Sequence, residues 1–550
     1  MSGMPYVVPF IIAMVVAMAG LPLLARIAAK WGILDHPGAR KVHTAPIPRI
    51  GGIAMAIGAF VAAAIAIDLQ PQDRWFLIAA AVLVAFGASD DRFDLDYRVK
   101  FIGQLLAVGI VVLAGDVQIR AITLDDRVML PGWISMPLTI LFLVGITNAI
   151  NLADGLDGLA GGTTFLCLCA VALLSGFGDH NASTALCLAF AGAILGFLRY
   201  NTYPATVFMG DAGSQLLGFT IGVLSVRATQ SFSSQLSAAI PILLLAIPIL
   251  DTLSVMVQRI GEGRSPFSAD RNHIHHKLLT LGFSHHEAVM VIYALQAALF
   301  VAAYFLRYES DLTILGVVSA FFVSSITVMQ VASHSGWRLR RAGAAAHDSA
   351  FARFMTRVLQ PKALPRISYA AIVFALNAYA LIIVLRTTSI SNDIWILVLA
   401  LFAVTTCLLL FLRSSPLNVV EKASLYVTAT VLVYLGALIE PPDYVYSVLT
   451  WTALSIVAVG TAVRLRLHSD HRFEVTPLDL IVLFMALVVP SLPGILKLPH
   501  VNALTIAKLI ILFYSIEVLV SPAEGRAVWI RVGVVYVLGG LVLRALIPGV

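Results

Sequence analysis

The chain has 550 residues, of which 59% are hydrophobic and only 12% charged, and its mean hydropathy is +0.93. Soluble domains are roughly 45–50% apolar and 25% charged. This composition excludes a soluble enzyme, and because apolar segments recur along the whole chain it also excludes a soluble enzyme with one anchor. The net charge of +6 is explained better by basic loops on one side of a membrane than by nucleic-acid binding. The four cysteines lie in apolar segments and indicate neither a disulfide framework nor a zinc site.

The apolar segments predict membrane spans, since about 20 residues cross a bilayer. The first, residues 5–25, has no Lys or Arg before it and is followed by Arg26 and Lys30. This order is the reverse of a signal peptide and predicts a retained helix whose N-terminus lies outside. Ten more spans are predicted near residues 51–68, 75–89, 101–115, 134–150, 159–175, 184–199, 213–228, 236–257, 288–306 and 312–333. About seven further spans are predicted near residues 369–386, 394–412, 424–439, 445–463, 478–490, 503–520 and 527–545.

A basic segment with a single acid, Asp348, separates these two groups of spans. We therefore predict a transmembrane domain at residues 1–334, a basic cytoplasmic linker at 335–366 and a C-terminal transmembrane extension at 367–550. The predicted fold is an all-α integral membrane protein, a polytopic helical bundle. If every span crosses once, most of the 36 Lys and Arg residues fall on the inner side, which supports this topology.

Five polar segments of unusual composition fall on the predicted inner side, whereas the outer loops are short and plain. Because all five lie on one membrane face, they predict one convergent site. The segments are residues 35–52, 90–100, 148–162, 199–213 and 259–277.

Carboxylates are concentrated in three of these segments. Crowded carboxylates at the edge of the hydrocarbon repel one another unless a cation compensates, and Mg²⁺ favours one or two carboxylates plus substrate phosphates. The spacing of Asp154 and Asp157 predicts that they share a helical face. Solvated helix caps are the alternative for isolated acids, and Asn148 and Asn151 are equally explained as residues that cap or cross-link helices. The acids are Asp90, Asp91, Asp154, Asp157 and Asp211.

Histidines and basic residues are concentrated in the last segment. The rule that loop cations stay inside explains many of the basic residues but not the cluster of His273, His275 and His276. Three histidines can ligate zinc, but the neighbouring Arg271 and Lys277 favour an anion, so phosphate or diphosphate binding is the preferred interpretation. Carboxylates that bind a metal, together with a basic loop that contains histidines, indicate a site for a sugar nucleotide or another diphosphate. The position at a membrane surface favours a lipid acceptor.

The motifs of residues 32–334 resemble those of the polyprenyl-phosphate N-acetylhexosamine-1-phosphate transferases (the MraY/WecA family), and the opening motif resembles the WecA-like branch that uses UDP-GlcNAc. The resemblance covers slightly more than half of the chain, and six motifs occur in the family's order. They are DHPGARKVHTAPIPRIGG, DDRFD with RVKFIGQ, NAINLADGLDGLAGG, NTYPATVFMGDAGSQLLG, PILD and DRNHIHHKL.

The resemblance implies roles for particular residues. It implies that Asp211 is the principal metal ligand, with Asn151 as a second. Asp90 and Asp91 match the pair placed beside the lipid phosphate, and Lys100 and Lys41 would hold phosphate charge. The remaining residues are assigned to the nucleotide, the sugar and the diphosphate: Asp35, Asp154, Asp157, Phe208, Arg271, His273, His275 and His276.

The resemblance further implies that residues 1–334 form a sugar-1-phosphate transferase domain in the bacterial inner membrane, with its active site facing the cytoplasm. The implied reaction moves N-acetylhexosamine-1-phosphate from a UDP-N-acetylhexosamine to undecaprenyl phosphate, releases UMP and starts a lipid-linked envelope glycan. Mg²⁺ is the implied cofactor, with Mn²⁺ as a substitute, and a homodimer is expected by analogy. Direct displacement is preferred to a two-step route, since phosphoryl transfer needs little covalent help from the protein.

Three alternatives stay open at this point. The same chemistry with another N-acetylated UDP-sugar, including UDP-MurNAc-pentapeptide, fits the same motifs. A transporter would place charges near the midplane of the membrane, and a non-catalytic scaffold would not need the acids and histidines together. The extension at 367–550 has no comparable motif, so binding of a partner, handling of the lipid product and an unrelated fusion are all compatible with it.

Overall fold

The computed structural model describes residues 7–37, 45–124, 126–175, 181–231, 234–265, 272–335 and 337–339, and beyond residue 363 mainly 364–387, 419–437, 444–467 and 527–546, with a few short stretches between them. The chain divides into two compact units. One comprises residues 1–344 and 476–481, and the other comprises residues 345–475 and 482–550.

The described part of the first unit is helical, with two short antiparallel hairpins. Its helices are α1 (Val7–Trp31), α2 (Gly51–Ala66), α3 (Pro71–Phe93), α4 (Tyr97–Leu113), α5 (Gly132–Ala153), α6 (Leu159–Ser175), α7 (Asn181–Asn201), α8 (Gly210–Gln230), α9 (Ile240–Leu244), α10 (Ala246–Gly261), α11 (Ile274–Thr280), α12 (His285–Phe305) and α13 (Asp311–His334). The hairpins pair β1 (Leu34–Asp35) with β2 (Ile47–Pro48), and β3 (Ala121–Thr123) with β4 (Arg127–Met129).

The described helices of the second unit are α14 (Leu364–Arg386), α15 (Val419–Ala437), α16 (Tyr444–Leu467) and α17 (Ala527–Leu546). A small apolar core joins Tyr369, Ile372 and Ala375 of α14 to Val457 of α16 and to Leu519. These buried side chains pack against one another and hold α14 against α16.

Seven helices among the described residues are long and apolar enough to cross a membrane, and four apolar segments of 10–17 residues accompany them. In lipid, helices satisfy all their backbone hydrogen bonds internally, which is why apolar segments of this length become helices. The chain is therefore an all-α polytopic membrane protein, and the predicted fold class is confirmed.

The span predicted at 236–257 is wrong in one respect, because the chain there forms two helices that meet at Leu245. Pro248 has no backbone N–H to donate to the carbonyl of Leu244, four residues earlier. The side chain of Gln296 on α12 donates to that carbonyl instead, at 2.9 Å. The break at Leu245 is thus stabilised by a hydrogen bond from another helix, which the local sequence does not show.

Helix α8 is buried along nearly its whole length and packs against α2, α3, α5 and α6. Its antiparallel neighbour α3 is bound to it near both ends. Near one end, Asp73 of α3 forms a buried ion pair with Arg227 of α8 at 2.6 Å. Near the other end, Asp91 of α3 accepts hydrogen bonds from the first backbone N–H groups of α8. These contacts fix the register of the two helices that carry Asp90, Asp91 and Asp211 of the predicted site.

Candidate functional site

Asp91 binds the N-terminus of α8 from the neighbouring helix α3. Its two carboxylate oxygens accept from the backbone N–H of Asp211 at 2.9 Å and of Ala212 at 3.1 Å. The first N–H groups of a helix have no partner within the helix, and a carboxylate there also interacts favourably with the helix dipole. Asp91 is 8% exposed. In this structure its carboxylate is therefore engaged in positioning Asp211.

Gly210 allows this contact. Its φ of +68° lies in the left-handed region, and a Cβ at this position would lie 2.3 Å from Oδ2 of Asp91. Glycine is the residue that meets both conditions, because it adopts positive φ readily and has no Cβ. The glycine of the FMGD motif is therefore explained by the close approach of Asp91.

Gly210→Ala should lower both thermal stability and activity. A left-handed φ costs a residue with a Cβ about 1–2 kcal/mol, and displacement of Asp91 adds to that cost. Gly263→Ala is the matched control, because Gly263 has nearly the same φ, +69°, but no atom within 4 Å of the added Cβ. Unfolding temperatures of the purified variants measure the difference. Equal decreases in the two variants would contradict the importance of the contact with Asp91.

Lys100 joins two of the predicted acids. Its ammonium lies 2.6 Å from Oδ2 of Asp90 and 3.1 Å from Oδ2 of Asp211. Asp90 also accepts from the backbone N–H of Leu95 at 2.8 Å, which fixes its carboxylate at the end of α3. The side chains of Lys100 and Asp211 are both 30% exposed, whereas that of Asp90 is 5% exposed. Lys100 and Asp211 are thus the members of this trio that solvent, or a ligand, can reach.

Asn151, from the end of α5, completes the cluster. Its amide donates to Oδ1 of Asp211 at 3.3 Å and to the hydroxyl of Ser214 at 2.7 Å. Asn148, one turn earlier, exchanges hydrogen bonds with Gln104 of α4 and so cross-links two helices. Asp90, Lys100, Asn151 and Asp211 come from four different helices and meet at one end of the bundle, where the sequence predicts a convergent site.

The ionisable groups of this cluster lie at helix ends, beyond the apolar segment 75–89. Burial and their mutual contacts shift the pKa values of these groups. Burial raises the pKa of Asp90 to about 6, and the hydrogen bond from its carboxyl to Asp211 acts in the same direction. Burial likewise raises the pKa of Asp91 to about 7, although the N–H groups of α8 oppose the shift. Burial also acts to raise the pKa of Asp211, but hydrogen bonds from Asp90 and Lys100 and the charge of Lys100 hold it below the ordinary value. Asp211 therefore carries the negative charge that Lys100 compensates.

Asp154 and Asp157 do not share a helical face, so that prediction is wrong. Helix α5 ends at Ala153, Asp154 follows it as the capping residue, and α6 begins only at Leu159. Glycines interrupt the helical pattern here, and Gly158 has a φ of +81°. Asp154 is exposed, whereas the carboxylate of Asp157 accepts from the backbone N–H of Ala205 at 2.9 Å. We call residues 154–158 the acidic turn.

One of the predicted histidines, His275, packs on this acidic turn. A Cβ at Gly155 would lie 2.2 Å from Nε2 of His275, so a larger residue at 155 has no room. The ring of His275 is parallel to that of His273, with centroids 5.6 Å apart, and its centroid lies 4.3 Å from that of His276. Burial lowers the pKa of His275 to about 4, and the neighbouring His276 adds to the decrease, so His275 is neutral at neutral pH. We call residues 273–276 the histidine segment.

Two other predicted residues, Asp35 and Phe208, lie in or beside the β1–β2 hairpin. Asp35 of β1 is buried and forms an ion pair with Arg49 just after β2. Phe208 hydrogen-bonds through its backbone to Pro48 and Gly51, which ties the hairpin to the start of α8. Lys41 and Arg271 lie outside the described residues.

Two residues near the site received no individual role from the sequence. Asp251 of α10 accepts hydrogen bonds from the histidine segment, and Gln104 of α4 contacts both Asn148 and Gln215. The PILD motif contains Asp251, but its acid stands alone in an apolar helix, with the histidines more than 20 residues away along the chain. Only the folded chain brings them together.

The donor set of the cluster suits a hard divalent cation. Asp211 supplies carboxylate oxygens, and the amide of Asn151, whose NH₂ group faces Asp211 in this structure, also carries an oxygen. Mg²⁺ is commonly held by one or two carboxylates plus substrate phosphates rather than by a complete protein cage. Among the described residues, no group of three His, Cys, Asp or Glu is arranged to hold a metal ion.

The fold and site define an integral membrane protein with a charged, oxygen-rich site at one end of its helices. Residues 74–229 match the family model described as glycosyl transferase family 4. A probable undecaprenyl-phosphate N-acetylglucosaminyl 1-phosphate transferase of Bacillus subtilis is 40% identical over 293 residues, which are 52% of this chain and 81% of that relative. The chain therefore belongs to this family, the polyprenyl-phosphate N-acetylhexosamine-1-phosphate transferases, as the motifs indicated.

Two further relatives extend the comparison. The decaprenyl-phosphate N-acetylglucosaminephosphotransferase of Mycolicibacterium smegmatis is 36% identical over 301 residues, which are 48% of this chain and 73% of that protein. The undecaprenyl-phosphate alpha-N-acetylglucosaminyl 1-phosphate transferase of Escherichia coli K12 is 34% identical over 281 residues, which are 50% of this chain and 76% of that protein. These names favour the GlcNAc interpretation over the transporter and scaffold alternatives.

Proposed function

We propose that this chain transfers GlcNAc-1-phosphate from UDP-GlcNAc to undecaprenyl phosphate and releases UMP. The names of the relatives supply the sugar and the lipid. The observation that carries the proposal is the meeting of Asp90, Lys100, Asn151 and Asp211 from four helices. A cation between two carboxylates at a membrane edge suits a reaction between two phosphates, since phosphoryl transfer depends on positioning and charge stabilisation.

In the proposed reaction, an oxygen of the lipid phosphate attacks the phosphorus that bears the sugar. A new P–O bond forms, the P–O bond to the UMP phosphate breaks, and UMP leaves with the bridging oxygen. The bond between the sugar and its phosphate oxygen stays intact, so the anomeric configuration is retained. Lys100 neutralises phosphate charge, and Asp90 acts through Lys100, whose ammonium it holds at 2.6 Å.

Asp211 and Asn151 would hold Mg²⁺ in this proposal, and Mg²⁺ would supply charge neutralisation on the diphosphate. The carboxylate of Asp91 fixes the start of α8 and thereby aims Asp211. The acidic turn and the histidine segment would contact the nucleotide and the sugar. We place the site on the cytoplasmic side of the bacterial inner membrane, because the basic loops predict that its helix ends face inward.

Release of UMP from purified full-length protein tests the proposed function. A panel of UDP-sugars, including UDP-GlcNAc, UDP-GalNAc and UDP-MurNAc-pentapeptide, is supplied with and without undecaprenyl phosphate and with Mg²⁺ or EDTA. We expect release from UDP-GlcNAc only when both the lipid and Mg²⁺ are present. Release that is faster from another donor would correct the sugar. Protein that is folded but releases no UMP from any donor would contradict the transferase activity.

Replacement of His275 and His276 by Ala should weaken donor use more than acceptor use. Both rings lie in the histidine segment, and His275 packs on the acidic turn. Loss of the polar contacts that these two side chains are proposed to make with the donor should raise the KM for UDP-GlcNAc about tenfold. The KM for undecaprenyl phosphate should change little. His334→Ala is the control, since His334 is an exposed histidine at the end of α13. An equal rise in both KM values would contradict the assignment of these histidines to the donor.

A further inference from the structure

Asp251 makes two hydrogen bonds to the histidine segment. Its Oδ1 accepts from the backbone N–H of Ile274 at 2.6 Å, and its Oδ2 lies 2.8 Å from Nδ1 of His273. Asp251 is 4% exposed and His273 is 6% exposed, so both hydrogen bonds are shielded from solvent. Shielded hydrogen bonds to a charged group are among the stronger ones in proteins.

The first of these hydrogen bonds supplies a missing helix cap. Helix α11 begins at Ile274 directly after His273, and the His273 side chain caps no backbone N–H of α11. Helices usually take such a cap from a residue that immediately precedes them. Here a carboxylate of the distant helix α10 provides it. The start of α11 is therefore located by α10 rather than by its own sequence.

The second hydrogen bond fixes which ring nitrogen of His273 carries the hydrogen that Asp251 accepts. A carboxylate accepts and cannot donate when it is ionised, so Nδ1 of His273 must carry the hydrogen. This leaves Nε2 as the ring nitrogen that is not engaged by Asp251. A carboxylate that holds Nδ1–H is a common way in which proteins set the tautomer and the orientation of a functional histidine.

The position of His273 is linked to the acidic turn through the stacked ring of His275. The planes of His273 and His275 differ by only 7°, and His275 contacts Gly155. A chain of contacts thus runs from Asp251 through His273 and His275 to the turn between Asp154 and Asp157. Movement of His273 would displace the ring that packs on this turn.

We propose that Asp251 is a positioning residue that sets the tautomer of His273 and holds the histidine segment over the acidic turn for donor binding. This inference rests on the proposed function. Asp251 is proposed to touch neither the donor nor the lipid. It acts through His273 and through the start of α11.

Two substitutions separate its two hydrogen bonds. In Asp251→Asn, the amide oxygen still accepts from Ile274, but the NH₂ group faces Nδ1 of His273 and selects the opposite tautomer. In Asp251→Ala, both hydrogen bonds are lost. We expect Asp251→Asn to unfold at nearly the wild-type temperature with a KM for UDP-GlcNAc raised about tenfold and an unchanged KM for undecaprenyl phosphate. Asp251→Ala should in addition unfold at a lower temperature.

Asp311→Asn is the matched structural control. Asp311 is another buried carboxylate that accepts from backbone N–H groups, those of Thr123 and Ala239 at 2.6 and 2.9 Å, but it lies far from the histidine segment. The Asp311→Asn variant should change the unfolding temperature without changing the ratio of the KM for UDP-GlcNAc to the KM for undecaprenyl phosphate. A double variant of Asp251→Asn with His273→Ala should have a donor KM no higher than that of the worse single variant, because the two residues act as one unit.

The outcomes distinguish this inference from the proposed function. Wild-type protein that neither binds nor turns over UDP-GlcNAc would contradict the proposed function and overturn this inference with it. Wild-type activity together with an unchanged donor KM in Asp251→Asn would overturn the positioning role alone. Equal rises in both KM values, or effects of Asp251→Asn and His273→Ala that multiply, would also overturn it.

Discussion

Asp211→Asn should abolish UMP release while the protein still inserts into the membrane and folds. The substitution keeps the shape of the side chain but removes the negative charge that faces Lys100 at 3.1 Å. It also removes the carboxylate proposed to hold Mg²⁺. Loss of residues that merely orient metal ligands costs about 10–100-fold, so loss of a ligand itself should lower kcat by more than about a hundredfold.

Asp116→Asn is the matched control for this variant. Asp116 is an exposed carboxylate in the loop after α4, at the other end of that helix from Lys100, and it pairs with Arg120. Asparagine tolerates its left-handed φ of +57°. Kinetics and unfolding temperatures of both variants are compared with those of wild type. An Asp211→Asn variant that retains normal turnover would remove Asp211 from the proposed metal site.

Lys100→Met should cause the second large loss of activity. Methionine fills a similar volume but leaves the carboxylates of Asp90 and Asp211 without the ammonium that lies between them. Without that cation, the pKa of one of the two carboxyls should rise, and the phosphates lose a positive charge. Removal of a positioned charge from a phosphoryl-transfer site costs about 10²–10³-fold in kcat.

Arg98→Met provides the comparison for Lys100→Met. Arg98 is an exposed cation on the same helix, two residues earlier, and its guanidinium lies over the ring of Tyr97 rather than among the acids. The Arg98→Met variant should have a kcat within about twofold of wild type, since surface substitutions have small effects. Equal losses in the two variants would indicate that the charge of this helix end matters in general and that Lys100 has no particular role.

The sequence predicted the convergence of the polar segments because membrane topology is a strong constraint. Once the spans and the basic loops assign one face to Asp90, Lys100, Asn151 and Asp211, few other arrangements remain. The structure places these four side chains in contact. Their roles in metal and phosphate binding stay predictions until the variants are measured.

Other features depended on contacts that no local pattern shows. The spacing of Asp154 and Asp157 predicted a shared helical face, but helix α5 ends at Ala153, and Gly155 and Gly158 lie in the turn that follows. The break at Leu245 depends on Gln296 of another helix, and the cap of α11 depends on Asp251 of another helix. In each case a partner distant in sequence satisfies a backbone group, and sequence periodicity carries no information about such partners.

Transfer of phosphorus from UDP-GlcNAc to the lipid distinguishes the proposed reaction from other glycosyl transfers. UDP-GlcNAc labelled at either its α- or its β-phosphorus is incubated with purified full-length protein, Mg²⁺ and undecaprenyl phosphate, and the lipid is extracted. The proposed reaction predicts that the β label enters the lipid together with GlcNAc while the α label stays in water as UMP, and that neither occurs with Asp211→Asn. A lipid product that carries GlcNAc without the β label, with UDP released, would rule out transfer of GlcNAc-1-phosphate.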